Sequence, residues 1–223
     1  SSNPELNTSY KILNDTKNSI LIAVKNNLII FNRQSKSSKI IPLPKTKMEN
    51  NVTDVLQIDA DNCLLATTAS GILELNKLTF TLSETDLIKN KDIQCFYNEE
   101  NNIYLGTKEG LFVYNLATKT INKTALTQSI NCFYKLENNQ FYIGTDNGLF
   151  LYDLKEAGIT PISLQTGENI VYKAFDINQI IGDKKGNLWI GTEGDGLFHY
   201  NVFQKKFNTI KLGLKEFPSI NNI

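Results

Sequence analysis

Residues Gly186–Asn201 read GNLWIGTEGDGLFHYN, and the outline of this stretch returns four times earlier in the chain. Residues 138–153 read NNQFYIGTDNGLFLYD and residues 101–115 read NNIYLGTKEGLFVYN. Two degenerate copies come before them, DNCLLATTASGILELN at 61–76 and NSILIAVKNNLIIFN at 18–32. With the small residue before the Thr or Val as anchor, the copies align on Ala23, Ala66, Gly106, Gly144 and Gly191, at spacings of 43, 40, 38 and 47 residues. A period near 42 that fills most of 223 residues is the signature of a repeat architecture rather than a domain with a linker.

Each unit reads as four short strands with no helical segment. In the fifth unit, strand A is 177–181, strand B 187–192, strand C 197–201 and strand D 207–212, with Glu193-Gly194-Asp195-Gly196 as a tight hairpin turn between B and C. Strand A recurs at 52–58, 93–98 and 130–136, and more weakly at 9–14. Strands B are apolar on both faces, as in Leu188-Trp189-Ile190 and Phe141-Tyr142-Ile143, so both faces of each sheet must be covered. A four-stranded sheet cannot cover itself, and each unit must therefore stack on its neighbours. The small anchor inside strand B marks close approach by a bulky group, with Phe31, Leu75, Tyr114, Tyr152 and Tyr200 as the expected source of that bulk. These requirements meet in an all-β fold, a β-propeller of about five four-stranded antiparallel blades. It is read as one domain over 1–223, with blades at about 8–44, 51–84, 92–124, 129–164 and 176–212. The segment 217–223 reads as the first strand of a further blade, so the expectation is a partial arc of a larger propeller.

Composition removes several function classes. Lys and Arg together number 23, as do Asp and Glu, so no positive excess exists to hold nucleic acid or an anionic membrane. No apolar run reaches the length that crosses a bilayer. A single histidine, His199, and three scattered cysteines without a CxxC pair leave no metal site, no catalytic triad and no disulfide framework to expect. No cofactor is expected either. His199 takes a structural place in strand C, Trp189 an inter-blade packing place in strand B, and Asp183 and Asp15 cap the A–B turn through Asx hydrogen bonds.

The run Asp183…Gly186-Asn187-Leu188-Trp189-Ile190-Gly191-Thr192…Gly196-Leu197…Tyr200-Asn201 resembles the two-component regulator propeller repeat. The third and fourth copies keep the Gly-Thr and Gly-Leu-Phe-x-Tyr halves but carry Tyr104 and Tyr142 in place of Trp. The resemblance implies the sensor region of a hybrid two-component system of the Bacteroidetes type, placed in the periplasm. There, usually seven blades precede a β-sandwich, a membrane helix and histidine kinase modules. It also implies an oligosaccharide as ligand, the remaining blades and signalling domains of the same receptor as partners, and a homodimer as one form of assembly. The segment itself is expected to make no membrane contact and to have no enzymatic activity.

In a propeller, the B–C and D–A loops rim the mouth of the central channel, and long loops on a rigid scaffold are where ligands bind. The candidate ligand-binding residues are therefore the B–C tips Lys108, Glu109, Asp146, Asn147, Glu193 and Asp195. To these the longest D–A connection, 165–175, adds Tyr172 and Lys173. Two carboxylates in the 193–196 loop are too few for calcium. Two other functions fit the same fold: a glycan-cleaving five-bladed enzyme and a purely protein-binding scaffold. A glycosidase needs paired carboxylates on the inner strands, where Asp54 is the main acidic residue.

Overall fold

A computed structural model of the chain describes residues 9–15, 18–89, 91–136, 139–162, 175–201, 203–204 and 206–210. They form twenty strands in five four-stranded antiparallel sheets, and no helix occurs among them. The first sheet is β1 (Ser9–Asp15), β2 (Ser19–Val24), β3 (Asn27–Asn32) and β4 (Ser37–Pro42). The second is β5 (Val52–Gln57), β6 (Asn62–Thr67), β7 (Gly71–Asn76) and β8 (Thr81–Lys89). The third is β9 (Ile93–Glu99), β10 (Asn102–Thr107), β11 (Gly110–Asn115) and β12 (Thr120–Lys123). The fourth is β13 (Ile130–Lys135), β14 (Gln140–Thr145), β15 (Gly148–Asp153) and β16 (Gly158–Ile162). The fifth is β17 (Ile177–Gly182), β18 (Leu188–Thr192), β19 (Leu197–Asn201) and β20 (Lys206–Ile210). In every sheet the strands lie side by side in chain order, the up-and-down meander of a propeller blade. The expected strands of the fifth unit coincide with β17–β20 to within a residue or two; positions 211–212 and the terminal segment 217–223 lie outside the described residues.

Two compact units divide the chain. The first comprises 1–107 and 113–122, the second 108–112 and 123–223. In the first unit, one face of blade 1 (Leu21, Ala23, Leu28, Ile30, Ile41) joins Val52, Cys63, Leu65, Leu73 and Leu75 of blade 2 in a single buried cluster. In the second unit, Cys132, Tyr134, Tyr142, Leu149 and Leu151 of blade 4 pack against Ile177, Ile180, Leu188, Ile190, Phe198 and Tyr200 of blade 5. The core of each unit is thus a set of layers between sheets, as two-sided apolar strands require.

The repeat motif is explained at three places. The Thr after the anchor is buried and its hydroxyl donates to the carbonyl that opens strand C: Thr67 to Gly71, Thr145 to Gly148 and Thr192 to Gly196, each at 2.8 Å. The Asn or Asp that ends strand C accepts backbone amides of the following turn, as Asn32, Asn76, Asn115, Asp153 and Asn201 all do. Asp183 accepts the amides of Lys185 (2.8 Å) and Asn187 (2.9 Å), and the Asn187 side chain donates to its second oxygen at 2.9 Å. That side-chain bond from Asn187 is the main reason the Asp183 carboxyl titrates below the usual carboxylate range. Asp59 does the same work in blade 2. Asp15 does not belong with them. It closes β1 and pairs with Ile20, the register that Gly182 holds opposite Leu188, so it sits one residue short of the turn.

The close approach at the anchor is present, but its source differs from the expected aromatic. A Cβ on Gly144 would lie 2.6 Å from Cys132 Sγ and 2.7 Å from Ile177 Cγ2, the first residue of the next blade. Tyr152 instead stacks on Phe141 at 4.9 Å, and Tyr200 meets Tyr142 edge-on at 6.5 Å. Burial pushes the Tyr142 phenol up to about 12. Trp189, at the register of Tyr142, is half buried and contacts His199 of its own sheet at 4.8 Å, while Tyr142 packs on the following blade.

In every blade the pairing of the first two strands slips by one residue near the start of strand A, a β-bulge. The bulge frees the second residue of the strand to reach sideways. Thr53 Oγ1 donates to the Ile93 carbonyl at 2.6 Å, and Asn131 Nδ2 donates to the equivalent carbonyl of Ile177 at 3.0 Å. Neighbouring inner strands are tied together by these bonds as well as by apolar contact.

Candidate functional site

In the second unit, the B–C turns of blades 4 and 5 carry Asp146 and Asn147 between β14 and β15, and Glu193 and Asp195 between β18 and β19. Asp176, just before β17, stands among them and was not among the sequence candidates. Its carboxylate accepts Asn131 Nδ2 at 2.8 Å, and its backbone carbonyl accepts the Glu193 amide at 2.8 Å. Desolvation, opposed by the Asn131 bond and helped by the negative charges of Asp146 and Glu193, raises the Asp176 carboxyl above the usual carboxylate range. Asp146 accepts the Ser129 amide at 3.1 Å, and Glu193 accepts Asn178 Nδ2 at 3.0 Å. The structure therefore gathers Asp146, Asp176 and Glu193, with the amides of Asn131 and Asn178, into one polar rim. Asp195 lies in the same turn as Glu193, and Lys108 and Glu109 form the exposed β10–β11 turn. Tyr172 and Lys173 lie outside the described residues.

A second place, at the opposite ends of the strands, was not anticipated. In the first unit a groove of about 900 Å³ runs between blades 1 and 2, lined by the A–B turn 59–61, the C–D turn residues Lys77, Leu78 and Phe80, and the polar edge of β3 and β4. The aromatic ring of Phe80 is part of its surface, with Lys39 Nζ 5.9 Å from the ring centre. Lys77 Nζ donates to Gln57 Oε1 at 2.9 Å. Hydroxyls of Ser35, Ser37 and Ser38 and the Asn32 amide complete a wall of donors and acceptors around one aromatic face. Nothing in the B–C rule for propeller mouths points here. The sequence signal was the aromatic Phe80 at the positive-φ end of a turn (φ 59°) that otherwise carries Lys or Ala in sheets one, three and four.

Asp54, the one acidic residue of the inner strands considered for catalysis, has both oxygens engaged by backbone. Oδ1 accepts the Val55 amide and Oδ2 accepts the Phe96 amide of the next blade, each at 2.8 Å. The three cysteines are free thiols, and burial raises Cys63 to about 11. Among the described residues, no group of three or more His, Cys, Asp and Glu side chains is placed to hold a metal ion. No helix among them is long and apolar enough to cross a membrane.

Residues 176–194 match the family described as Two component regulator propeller, which covers the A–B half of blade 5. Among solved structures, the chain resembles the extracellular domain of BT3049 of B. thetaiotaomicron, a protein described as a hybrid two component system. The two share 21% identity with a TM-score of 0.76 over 96% of this chain and 30% of that one. The extracellular domain of BT4673 of the same organism, described in the same terms, gives 22% identity and a TM-score of 0.73 over 95% of this chain and 28% of that one. PorZ, a surface component of the type-IX secretion system of Porphyromonas gingivalis, gives 14% identity and a TM-score of 0.57 over 90% of this chain and 29% of that one. These likenesses show a shared propeller fold, and this chain spans less than a third of each of the three structures. Comparison with curated proteins returns no significant match.

Proposed function

We propose that this chain is part of the ligand-recognition propeller of a two-component signalling receptor and binds oligosaccharides outside the cytoplasm without cleaving them. The observation that carries this reading is the regulator-propeller repeat at 176–194, set in a chain whose fold is shared with extracellular domains of such receptors. The groove between blades 1 and 2 supports the sugar class. An exposed aromatic face with hydroxyl, amide, carboxylate and ammonium groups around it suits a ligand that has both apolar C–H faces and many hydroxyls. The rim of Asp146, Asp176 and Glu193, together with Asn147, Asp195 and the turn of Lys108 and Glu109, is the second place such a ligand can dock, with Tyr172 and Lys173 as proposed additions.

The non-catalytic part rests on Asp54. Cleavage of a glycoside by the usual route needs two carboxylates, one of them free to donate a proton, and both oxygens of Asp54 are held by backbone amides. Titration calorimetry against a panel of oligosaccharides, run beside a reducing-end assay, tests the reading. Heat without new reducing ends is the predicted result, and turnover overturns it. Phe80→Ala should abolish the heat if the groove is the site, and Asp146→Asn with Glu193→Gln if the rim is. Absence of heat across the panel would favour the protein-binding scaffold.

A further inference from the structure

In the groove between blades 1 and 2 the repeat departs from its own pattern at two positions that face each other. The third residue of the outermost strand is Ser83, Thr160 and Asn208 in the second, fourth and fifth sheets, but Lys39 in the first. The positive-φ residue of the C–D turn is Lys36, Lys119 and Ala157 in the first, third and fourth sheets, but Phe80 in the second. A bulky side chain takes that left-handed conformation at a cost. Phe80 is still 39% exposed, so burial does not repay it. The two departures belong to different blades, yet both line one groove, with the Lys39 ammonium 5.9 Å from the centre of the Phe80 ring.

Charge in the groove is separated too. On blade 2, Asp59 turns its carboxylate onto its own turn, where it accepts the amides of Asp61 and Asn62 at 2.8 Å each and the Asn62 side chain at 2.9 Å. Both ammonium groups have neutral partners, Lys77 the amide oxygen of Gln57 and Lys39, on blade 1, the Phe80 ring. Among the described residues, no carboxylate lies within ion-pair distance of either one.

We propose that this groove selects an anionic oligosaccharide, with one sugar ring on the face of Phe80 and the carboxylate or sulfate of that sugar on the Lys39 ammonium. The proposal rests on the groove being a sugar site and specifies which sugars it takes. A sugar stacked on the ring brings its edge substituents beside Lys39. An ammonium without a counter-ion in a partly enclosed site attracts an anion more strongly than it does in open water. Asp61 and the Ser38 hydroxyl, which also line the groove, remain for the hydroxyls of the sugar.

Titration calorimetry on the full chain tests this with matched probes: oligosaccharides of galacturonate and of glucuronate, sulfated galactan fragments, and the same sugars after carboxyl reduction or desulfation. The acidic forms should bind about tenfold tighter than their neutral counterparts, and the difference should shrink as salt is raised. Lys39→Gln should remove both the difference and its salt dependence and leave neutral binding unchanged. Lys39→Arg should keep both, and Lys36→Gln, on an exposed turn outside the groove, should change neither. Circular dichroism melting checks that each variant folds. Tight binding of uronates alone assigns the anion as a carboxylate, and of sulfated sugars alone as a sulfate. Neutral probes that bind as tightly as acidic ones overturn the proposal and leave the sugar site standing. A preference for acidic sugars that survives Lys39→Gln also overturns it. No heat from any probe overturns the proposal and the sugar site together.

Discussion

Asn131 and Asn178 hold the same bulged position, second in strand A, one in blade 4 and the other in blade 5. Asn131 reaches across to Ile177 O and Asp176 Oδ1 of the following blade, at 3.0 and 2.8 Å. Asn178 turns to Glu193 of its own blade at 3.0 Å. The apolar rows differ too, buried at Ile180, Ile190 and Phe198, half buried at Ile22 and Ile29 and exposed at Ile12 and Ile40. The within-blade bonds of the motif repeat from sheet to sheet, whereas the contacts of the bulged residue and of the apolar rows need a neighbouring blade to supply the other half.

Substitutions can break this contrast in order of size. Gly144→Val places a branched side chain where even a Cβ lies 2.6 and 2.7 Å from Cys132 and Ile177, and should cost about 3 kcal/mol in urea unfolding. Asn131→Ala loses both inter-blade bonds and leaves the Ile177 carbonyl to find another donor. It should cost about 1.5 kcal/mol, whereas Asn178→Ala should stay within about 0.5 kcal/mol. Thr192→Val removes the hydroxyl from the Gly196 carbonyl and should cost about 1 kcal/mol; blade 1 already lacks that bond because Val24 stands at its register. Glu109→Ala, on an exposed turn, should change stability by less than about 0.5 kcal/mol.

Acidity sharpens the contrast between turns and rim. Asp59, Asp153 and Asp183 are all held below the usual carboxylate range, chiefly by side-chain amide bonds, so their stabilisation is present at neutral pH and is lost as pH falls through their folded values. Asp176 has the opposite sign. Its carboxyl is raised by desolvation, so ionisation at neutral pH opposes folding, and the penalty disappears below the ordinary Asp range. Asp176→Asn should therefore raise the melting temperature at pH 7 and leave it unchanged near pH 3. A gain of equal size at both values would show that the effect is not electrostatic.

Most of the blade plan was legible because it rests on local chemistry: the Thr after the anchor, the Asn or Asp after strand C and the Asp183 turn are each satisfied within a few residues. What the sequence hid depends on registers that cross between blades. The β-bulge in strand A cannot be read from alternation, since it inserts a residue without altering composition. It decides that Asn131 points to the next blade and that Ile177 fills the space above Gly144, and a second register shift in blade 1, between Ile12 and Asn14, makes Asp15 end a strand instead of capping a turn. The rim was half legible: Asp146 and Glu193 were found from turn position, while Asp176 was missed because it precedes a strand and looks like a linker residue. The groove by Phe80 was missed because two blades form it jointly, from turns that individually look like solvated tips.

Ile190 and Ile22 occupy one register in two blades, the first buried under a neighbour and the second half exposed. Urea unfolding of Ile190→Ala and Ile22→Ala, followed by circular dichroism in dilute solution, compares them directly. Stacking between blades predicts a loss of about 3 kcal/mol for Ile190→Ala and about 1 kcal/mol or less for Ile22→Ala. Equal losses would mean that each sheet is stabilised from within and that layer packing does not hold this chain together.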